Sequence, residues 1–344
     1  MRGILGNIEK QTALKVRERN TMDDPSDGII LVMGVTGAGK SYFLNQLKSQ
    51  SVSEGHSLCS ETRECQAIQI FLDEEEKRSI TVVDTPGFDD TKRSQADILA
   101  EITDYLAAQH ISGLPLRGIL YLHKISDNRM TKTSRNYLQL LSDIVGDDAL
   151  KNVILVTTMW NTLRPEDRQR AVQREQELLN NFWSSMIDKG SYVAQFNGTP
   201  ESAYPLIFQL ADQESVVLEI QKEIVDEDRS IIETATGRTL VQQLEKDHEA
   251  YQMDLCNLRD KLERELKSQP LDKGKIKQLK DEISEVEKLL QAMSNSVDHM
   301  RIRPGSPMRQ RMKQAMKESG KTAAMVLGLV LNVTYFAVQL GLGM

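Results

Sequence analysis

The sequence predicts an α/β fold: a three-layer domain with a mostly parallel sheet, then an α-helical hairpin and a C-terminal hydrophobic helix. Strand-like and helix-like segments alternate from residue 29 to about residue 212. Two charged segments with apolar residues every three or four positions follow, and residues 323–344 carry no charged side chain. Alternation of strands and helices is typical of a sheet that is covered by helices on both faces.

Composition and charge limit the classes of function. The chain has 344 residues, of which 40% are hydrophobic, and this is enough for one large α/β core and a helical appendage. The formal net charge of -7 provides no general basic surface, so nucleic acid is not an expected partner. The three cysteines lack metal-ligand spacing and the first residues lack a secretory signal, so we expect a cytoplasmic protein with reduced thiols.

Six apolar segments predict the strands of the sheet. A short acidic turn, residues 73–78, separates the second and third segments. We therefore expect these two to pair antiparallel, while helical crossovers join the others. The predicted strands are Ile29 to Met33, Cys65 to Leu72, Ser79 to Asp84, Arg117 to His123, Asn152 to Thr157 and Tyr192 to Phe196.

Helical patterns fill the connections and set the expected domain boundaries. We expect an N-terminal helix and linker at 1–27, the α/β domain at 28–213, a helical hairpin at 214–299, a basic linker at 300–322 and a tail helix at 323–344. The predicted helices of the α/β domain are Lys40 to Gln50, Ser94 to Gln109, Thr133 to Val145, Pro165 to Asp188 and Glu201 to Asp212.

The GVTGAGKS segment, residues 34–41, joins the first predicted strand to the helix that begins at Lys40. This order and spacing are those of a Walker A phosphate-binding loop, or P-loop, in which backbone amides and a helix N-terminus face the phosphates. We expect Lys40 to reach the β- and γ-phosphates and Ser41 to ligate Mg²⁺. The other nucleotide contacts predicted here are Gly34, Thr36, Gly37, Ala38, Gly39 and Tyr42.

A second motif, DTPG, follows the third predicted strand at residues 84–87. An aspartate at the end of a buried strand can hold Mg²⁺ through water, and the amide of the glycine three residues later can sense the γ-phosphate. Asp84 and Gly87 therefore form a DxxG switch. Together the two motifs indicate the G domain of a translation-factor-like GTPase rather than a kinase.

On these motifs the sequence resembles the AIG1-type, GIMAP-like P-loop GTPases, a branch close to septins, and in particular their fungal members. The resemblance spans residue 29 to about residue 212, and it implies GTP or GDP and Mg²⁺ as ligands. It also implies that Thr62 is the switch I threonine on Mg²⁺ and the γ-phosphate and that Asn197 contacts the base, although a threonine in a polar loop is often merely solvated. The segments that carry it are GVTGAGKS, GHSLCSETRECQ (residues 55–66), DTPGFDD (84–90) and FNGTPESA (196–203).

The sequence departs from this family where related G proteins carry an N/TKxD or TRxD motif. The chain reads VTTMWN at residues 156–161, so Trp160 replaces the aspartate that would accept hydrogen bonds from guanine N1 and N2. Loss of that acceptor weakens selection for guanine. Thr158 and Trp160 are predicted to stack on or flank the base, and packing of Met159 and Trp160 under the loop is the alternative.

A second departure concerns hydrolysis. Phe88 follows Gly87 where fast small GTPases have a water-orienting glutamine, so slow intrinsic turnover is expected. Arg129, beyond the fourth strand, is a candidate for stabilising transition-state charge from a dimer partner, and ordinary surface solvation is its alternative. His123 in the same segment is more typical of a satisfied strand-end histidine than of a catalytic base.

Two segments after residue 214 have the apolar spacing of a coiled-coil seam, and a proline-containing break at residues 269–274 separates them. They predict an antiparallel hairpin, which either packs on the α/β domain or serves as a dimerisation or partner-binding arm. The seam positions are Val241, Leu244, His248, Tyr251, Leu255, Leu258 and Leu262, then Ile276, Leu279, Ile283, Val286, Leu290, Met293 and Val297.

The uncharged tail, residues 323–344, is long enough to cross a bilayer core, which needs about 20 residues. Seven Lys or Arg residues and one Glu lie between residues 301 and 321. Such a flank favours the cytosolic side and anionic lipid, so we expect a membrane anchor. A helix contact or packing on protein is the alternative, favoured by the stripe of Gly328, Asn332, Tyr335, Gln339 and Gly343.

These observations predict a membrane-associated GTPase switch that hydrolyses GTP slowly to GDP and phosphate and couples this to assembly of a homodimer or oligomer, or to partner binding. The predicted catalytic residues are Lys40, Thr62 and Gly87, and the predicted Mg²⁺ ligands are Ser41, Thr62 and Asp84. The alternative is a pseudo-GTPase scaffold, in which bound nucleotide is structural and the hairpin and tail perform the function. A phosphotransferase is disfavoured because the sequence has no evident acceptor site or lid.

Overall fold

A computed structural model describes residues 27–48, 66–73, 78–87, 93–268 and 272–301 of the chain. Its centre is a six-stranded sheet in the order β2-β3-β1-β4-β5-β6. β2 is antiparallel to β3 and every other neighbouring pair is parallel, which confirms the predicted pairing and the mostly parallel sheet. The strands are β1 (Ile29–Gly34), β2 (Gln66–Phe71), β3 (Ser79–Asp84), β4 (Leu116–Lys124), β5 (Val153–Thr158) and β6 (Tyr192–Gln195).

The central strands form the hydrophobic core. All residues of β1, β3 and β5 are buried, and most of them are Ile, Leu or Val. Continuous apolar strands of this kind are stable where helices cover both faces of a sheet. The helices of this domain are α1 (Lys40–Leu47), α2 (Gln95–Ser112), α3 (Lys132–Val145), α4 (Arg168–Glu177), α5 (Ser184–Asp188), α6 (Pro200–Ala211) and the single turn α7 (Glu219–Gln221).

The segment predicted as one helix from Pro165 to Asp188 is instead divided. A 3₁₀ turn at Pro165–Asp167 precedes α4, a π-helical turn at Leu178–Phe182 follows it, and α5 begins after Trp183. The Trp183 amide donates to Leu178 O, five residues back, at 2.8 Å, and the indole is fully buried. The wider π turn thus places a large side chain in the core, which the helical periodicity did not indicate.

The core of the α/β domain continues beyond the predicted boundary at residue 213. Leu218, Ile220 and Ile224 are buried in the same core as the sheet. Gln221 is also buried, and its side-chain Nε2 donates to Leu106 O of α2 at 2.9 Å. The hairpin itself consists of α8 (Ala235–Lys267) and α9 (Lys273–Met300).

The base of the hairpin is docked on the α/β domain. Thr239 Oγ1 of α8 donates to Asp143 Oδ2 of α3 at 2.6 Å, and the C-terminal end of α9, where Met300 is fully buried, packs on α2. Away from the base, the two helices contact each other and their seam is only half-buried except at Leu279. The arm is therefore fixed at one end and exposed along the rest of its length.

Several predicted features lie outside the described residues. They are the N-terminal helix, the acidic turn at residues 74–77, Thr62, Phe88, the basic linker beyond Arg301 and the tail helix. Within the described ranges, no helix combines the length and the apolar character that a membrane span requires.

Candidate nucleotide-binding site

The P-loop follows β1 at the carboxyl edge of the sheet. Gly34, Gly37 and Gly39 have φ values of 144°, 76° and 90°, which L side chains rarely adopt. A Cβ at Gly34 would also lie 2.4 Å from the carbonyl oxygen of Leu122 in β4. The first amides of α1 receive no side-chain cap, because the N-cap residue is Gly39. Uncapped helix amides behind a glycine loop suit a phosphate group.

Lys40 lies inside the loop. Its Nζ donates to Gly34 O and Val35 O at 3.1 Å each, and only 6% of the residue is exposed. Carbonyl oxygens hold the ammonium group in place, and a phosphate would give it a fully charged partner. The loop therefore fits the predicted role of Lys40 as a phosphate ligand.

Ser41 and Asp84, two of the three predicted Mg²⁺ ligands, meet in the structure. Ser41 Oγ donates to Asp84 Oδ2 at 2.6 Å, and Asp84 is fully buried at the end of β3. The parallel pairing of β1 with β3 places Asp84 opposite Val32, just before the P-loop. Hydroxyl and carboxylate oxygens are the ligands that Mg²⁺ prefers, so this pair fits the ion.

The DTPG segment packs directly on the P-loop. Thr85 Oγ1 donates to Val32 O at 3.0 Å, which ties the segment to β1. At Gly87 a Cβ would lie 2.4 Å from Thr36 Oγ1, 2.8 Å from Thr36 N and 2.9 Å from Thr36 Cα. The two motifs are thus in contact through backbone atoms, and Gly87 is required at this position by close approach.

The loop after β5 approaches the P-loop from the other side. Thr158 Oγ1 donates to Ala38 O at 2.8 Å, and Thr158 is 1% exposed. Met159, in a left-handed conformation with φ 66°, places its Cε 3.4 Å from the position that a Cβ would take at Gly39. Thr158 therefore fastens β5 to the P-loop, a role that the sequence interpretation did not include.

Trp160 turns into the core. Its Nε1 donates to Thr157 Oγ1 at 2.9 Å, and the Thr157 hydroxyl donates to Glu175 Oε1 at 2.8 Å. Gln195 Nε2 donates to the other carboxylate oxygen of Glu175 at 2.7 Å. This geometry favours the packing alternative for Trp160. The sequence carried no signal for Glu175, a buried carboxylate in a charged helix.

Asn197 and Tyr42 lie at the β6 side of the site. Asn197 is exposed in the loop after β6, and the Tyr42 hydroxyl of α1 donates to Gly198 O at 3.0 Å. Tyr42 also contacts Phe196 with ring centroids 6.2 Å apart. The structure therefore brings these predicted nucleotide contacts together beside the P-loop helix.

Comparison with known sequences agrees with this architecture. Residues 29–199 match the sequence profile of the AIG1 family. Through this domain, the chain belongs to the AIG1 family.

Individual relatives are distant. Neuronal-specific septin-3 of Danio rerio is 26% identical over 192 residues, which cover 50% of this chain and 52% of the septin. Translocase of chloroplast 90 of Arabidopsis thaliana is 31% identical over 133 residues, which cover 38% of this chain and 16% of the translocase. This chain thus spans about half the length of the septin and a much smaller part of the translocase.

A solved structure of Toc33 from Arabidopsis thaliana, in complex with GDP and Mg²⁺, superposes with a TM-score of 0.45 at 16% identity. The superposition covers 56% of this chain and 87% of Toc33.

His123 and Arg129 of the AIG1 domain have different environments. His123, at the end of β4, is 4% exposed, and burial lowers its pKa below the ordinary value, which favours the neutral imidazole. Its ring meets Trp183 edge to face with centroids 6.1 Å apart. Arg129 lies exposed in the loop between β4 and α3. His123 is thus a core residue, whereas Arg129 is accessible to a partner molecule.

Proposed function

We propose that the chain is a Mg²⁺-dependent guanine-nucleotide-binding protein that hydrolyses GTP slowly to GDP and phosphate. The observation that carries this proposal is the 2.6 Å hydrogen bond from Ser41 Oγ to Asp84 Oδ2. It joins the Walker A loop to the DxxG motif at the two side chains that would hold Mg²⁺. Membership of the AIG1 family supports guanine as the base.

Each residue has a defined task in this function. The P-loop glycines and Lys40 bind and orient the β- and γ-phosphates, and Ser41 and Asp84 would hold Mg²⁺, with Thr62 as a third predicted ligand. When bound, the metal ion neutralises phosphate charge. Gly87, which contacts the P-loop at Thr36, would respond to the terminal phosphate.

Hydrolysis is slow in this proposal because Phe88 cannot orient a water molecule as glutamine does. A second copy of the chain would supply the missing charge stabilisation through Arg129, which is exposed beside the carboxyl edge of the sheet. Turnover should therefore rise with protein concentration, and Arg129→Ala should remove that rise.

The arm gives the switch an output. α2 begins at Gln95, shortly after Gly87, and α9 packs on α2 through its buried end at Met300. α8 begins beside Glu223, whose two carboxylate oxygens accept the Ala235 amide at 3.1 Å each. A rearrangement after Gly87 would thus change the contacts at the base of the arm. We therefore also propose that the chain assembles at a membrane in a nucleotide-dependent way, with residues 323–344 as the anchor.

Nucleotide titration tests the core of this function. The full-length chain is titrated with GTP, GDP and ATP, with and without Mg²⁺, and phosphate release is then followed. Lys40→Ala should abolish binding, whereas Lys151→Ala, at the opposite edge of the sheet, should not. Absence of nucleotide binding would overturn the proposal, and ATP binding as tight as GTP would overturn guanine selection.

Membrane assembly needs a separate experiment. Flotation of the full-length chain with anionic and neutral vesicles, in GDP and in a non-hydrolysable GTP analogue, tests both attachment and coupling. If the chain fails to float with anionic vesicles, the proposed membrane anchor is refuted. If the oligomeric state is the same with both nucleotides, the proposed coupling of nucleotide state to assembly is refuted.

The pseudo-GTPase scaffold is retained as a second candidate because the residue at the usual aspartate position, Trp160, is packed inward. A scaffold would bind nucleotide and be stabilised by it without releasing phosphate at any protein concentration. Turnover therefore separates the two functions.

A further inference from the structure

The proposed base site is formed by two loops that contain no carboxylate. The loop after β5 reads TTMWNT at residues 157–162, and the loop after β6 reads FNGT at residues 196–199. The next acidic residues after the first loop, Glu166 and Asp167, lie in the 3₁₀ turn before α4. After the second loop the next is Glu201, in the first turn of α6, where its carboxylate is engaged by its own amide and by Thr199. No charged acceptor is therefore present in either loop to pair with guanine N1 and N2.

The side chains nearest the usual aspartate position form hydrogen bonds within the protein. Thr158 donates to Ala38 O in the P-loop, and Trp160 donates to Thr157 Oγ1 within the core. Both residues are buried. The indole N–H of Trp160 can only donate, and the Thr158 hydroxyl is buried at 1% exposure, so neither side chain presents an acceptor to a base.

Two carboxamides remain at the rim. Asn161 and Asn197 are both exposed, one on each loop. At Gly198 a Cβ would lie 2.4 Å from Asn161 Nδ2 and 2.9 Å from Asn161 Cγ, so the Asn161 amide packs against the second loop. The Tyr42 hydroxyl fixes Gly198 O beside α1. The Asn161 carboxamide thus lies where the two loops meet, next to the P-loop helix.

We propose that Asn161, together with Asn197, reads the base through carboxamides, so that the site tolerates bases without the guanine 2-amino group. This inference rests on the proposed nucleotide-binding function. A carboxylate only accepts hydrogen bonds, and its two oxygens can therefore accept from both N1–H and N2–H of guanine. A carboxamide is neutral and has a single acceptor oxygen beside an NH₂ group that only donates, so it gains less than a carboxylate from the extra amino group.

Inosine nucleotides provide the probe, because hypoxanthine is guanine without the 2-amino group. We would measure the affinities of the full-length chain for GDP, IDP and ADP with Mg²⁺ by competition against a fluorescent GDP analogue. The wild-type chain should bind IDP within about tenfold of GDP, since a neutral hydrogen bond contributes no more than this. Asn161→Asp should increase the preference for GDP over IDP by about tenfold or more, because it installs a charged acceptor of the same size.

The controls separate this inference from the function on which it depends. Asn295→Asp adds the same charge on the exposed arm and should leave the GDP-to-IDP ratio unchanged. If the wild-type chain binds GDP but rejects IDP strongly, or if Asn161→Asp has the wild-type ratio, the inference is overturned and the proposed function stands. If the wild-type chain binds none of the nucleotides, the proposed function itself fails.

Discussion

Substitution of Gly87 by alanine is a direct test of the contact between the DxxG switch and the P-loop. The new Cβ would lie 2.4 Å from Thr36 Oγ1, 2.8 Å from Thr36 N and 2.9 Å from Thr36 Cα. Gly87 does not have a positive φ, so alanine is acceptable to its backbone. The conflict is therefore steric, and two of the three atoms belong to the main chain of the P-loop.

The size of the effect follows from these distances. Thr36 Oγ1 can rotate away, but its N and Cα can move only if the P-loop or the DTPG segment shifts. Overpacking of this kind costs about 1–3 kcal/mol, which corresponds to a loss of about five- to 150-fold in nucleotide affinity if the strain is relieved at the P-loop. Trimming the side chain by Thr36→Ala should not rescue Gly87→Ala, since the main-chain contacts remain.

The assay is nucleotide titration with Mg²⁺ on four chains: wild type, Gly87→Ala, Thr36→Ala and the double variant. Gly113→Ala is the control glycine substitution, because no atom lies within 4 Å of its Cβ position and it lies outside the site. Its positive φ of 72° should reduce stability without reducing affinity. Wild-type affinity in Gly87→Ala, or full rescue by Thr36→Ala, would refute the steric reasoning.

Three further predictions concern the metal, the arm and acid stability. Ser41→Ala removes the hydroxyl bonded to Asp84, so the Mg²⁺-dependent gain in nucleotide affinity should disappear while binding without Mg²⁺ changes little in the same titration. Gly237→Ala would place a Cβ 1.8 Å from Ile231 O at the start of α8, so denaturant unfolding should show a loss of about 3 kcal/mol, and wild-type stability would contradict this. Burial lowers the pKa of His123, so below about pH 6.5 this histidine is protonated in the unfolded chain but still neutral in the folded chain. The free energy of unfolding should therefore decrease as the pH falls through this range. His123→Gln should reduce this slope by up to about 1.4 kcal/mol per pH unit in unfolding curves at several pH values, and an unchanged slope would show that other groups cause it.

Much of the fold was predictable because it depends on local signals. The strands were visible as apolar runs, and the acidic turn before Arg78 was too short for anything but an antiparallel connection. The P-loop and the DTPG segment were predictable as parts of one site, since parallel strands end at the same edge of a sheet. The contact between Ser41 and Asp84 follows from that edge.

The remaining features depend on tertiary packing that spacing does not encode. The π turn at Leu178–Phe182 precedes the fully buried indole of Trp183, whereas the sequence around it has the pattern of an ordinary helix. Residues 214–234 were assigned to the hairpin because they are charged, although Leu218 and Ile231 belong to the core. For Trp160 the sequence left base contact and packing under the loop as alternatives, and the hydrogen bond of its indole to Thr157 Oγ1 favours packing.

The P-loop is the point at which the ends of several strands meet. β3 reaches it through Asp84 and Gly87, and β5 reaches it through Thr158. The loop after β6 contacts the adjoining helix α1 at Tyr42. A nucleotide bound here would stabilise all of these contacts together, by about 2.7 kcal/mol at a concentration one hundred times its dissociation constant. That stabilisation requires binding alone, so a scaffold and a switch would share it. They differ in turnover: only a switch would release phosphate, and only in a switch could loss of the terminal phosphate change the contact of Gly87 with the P-loop and, through α2, the base of the arm.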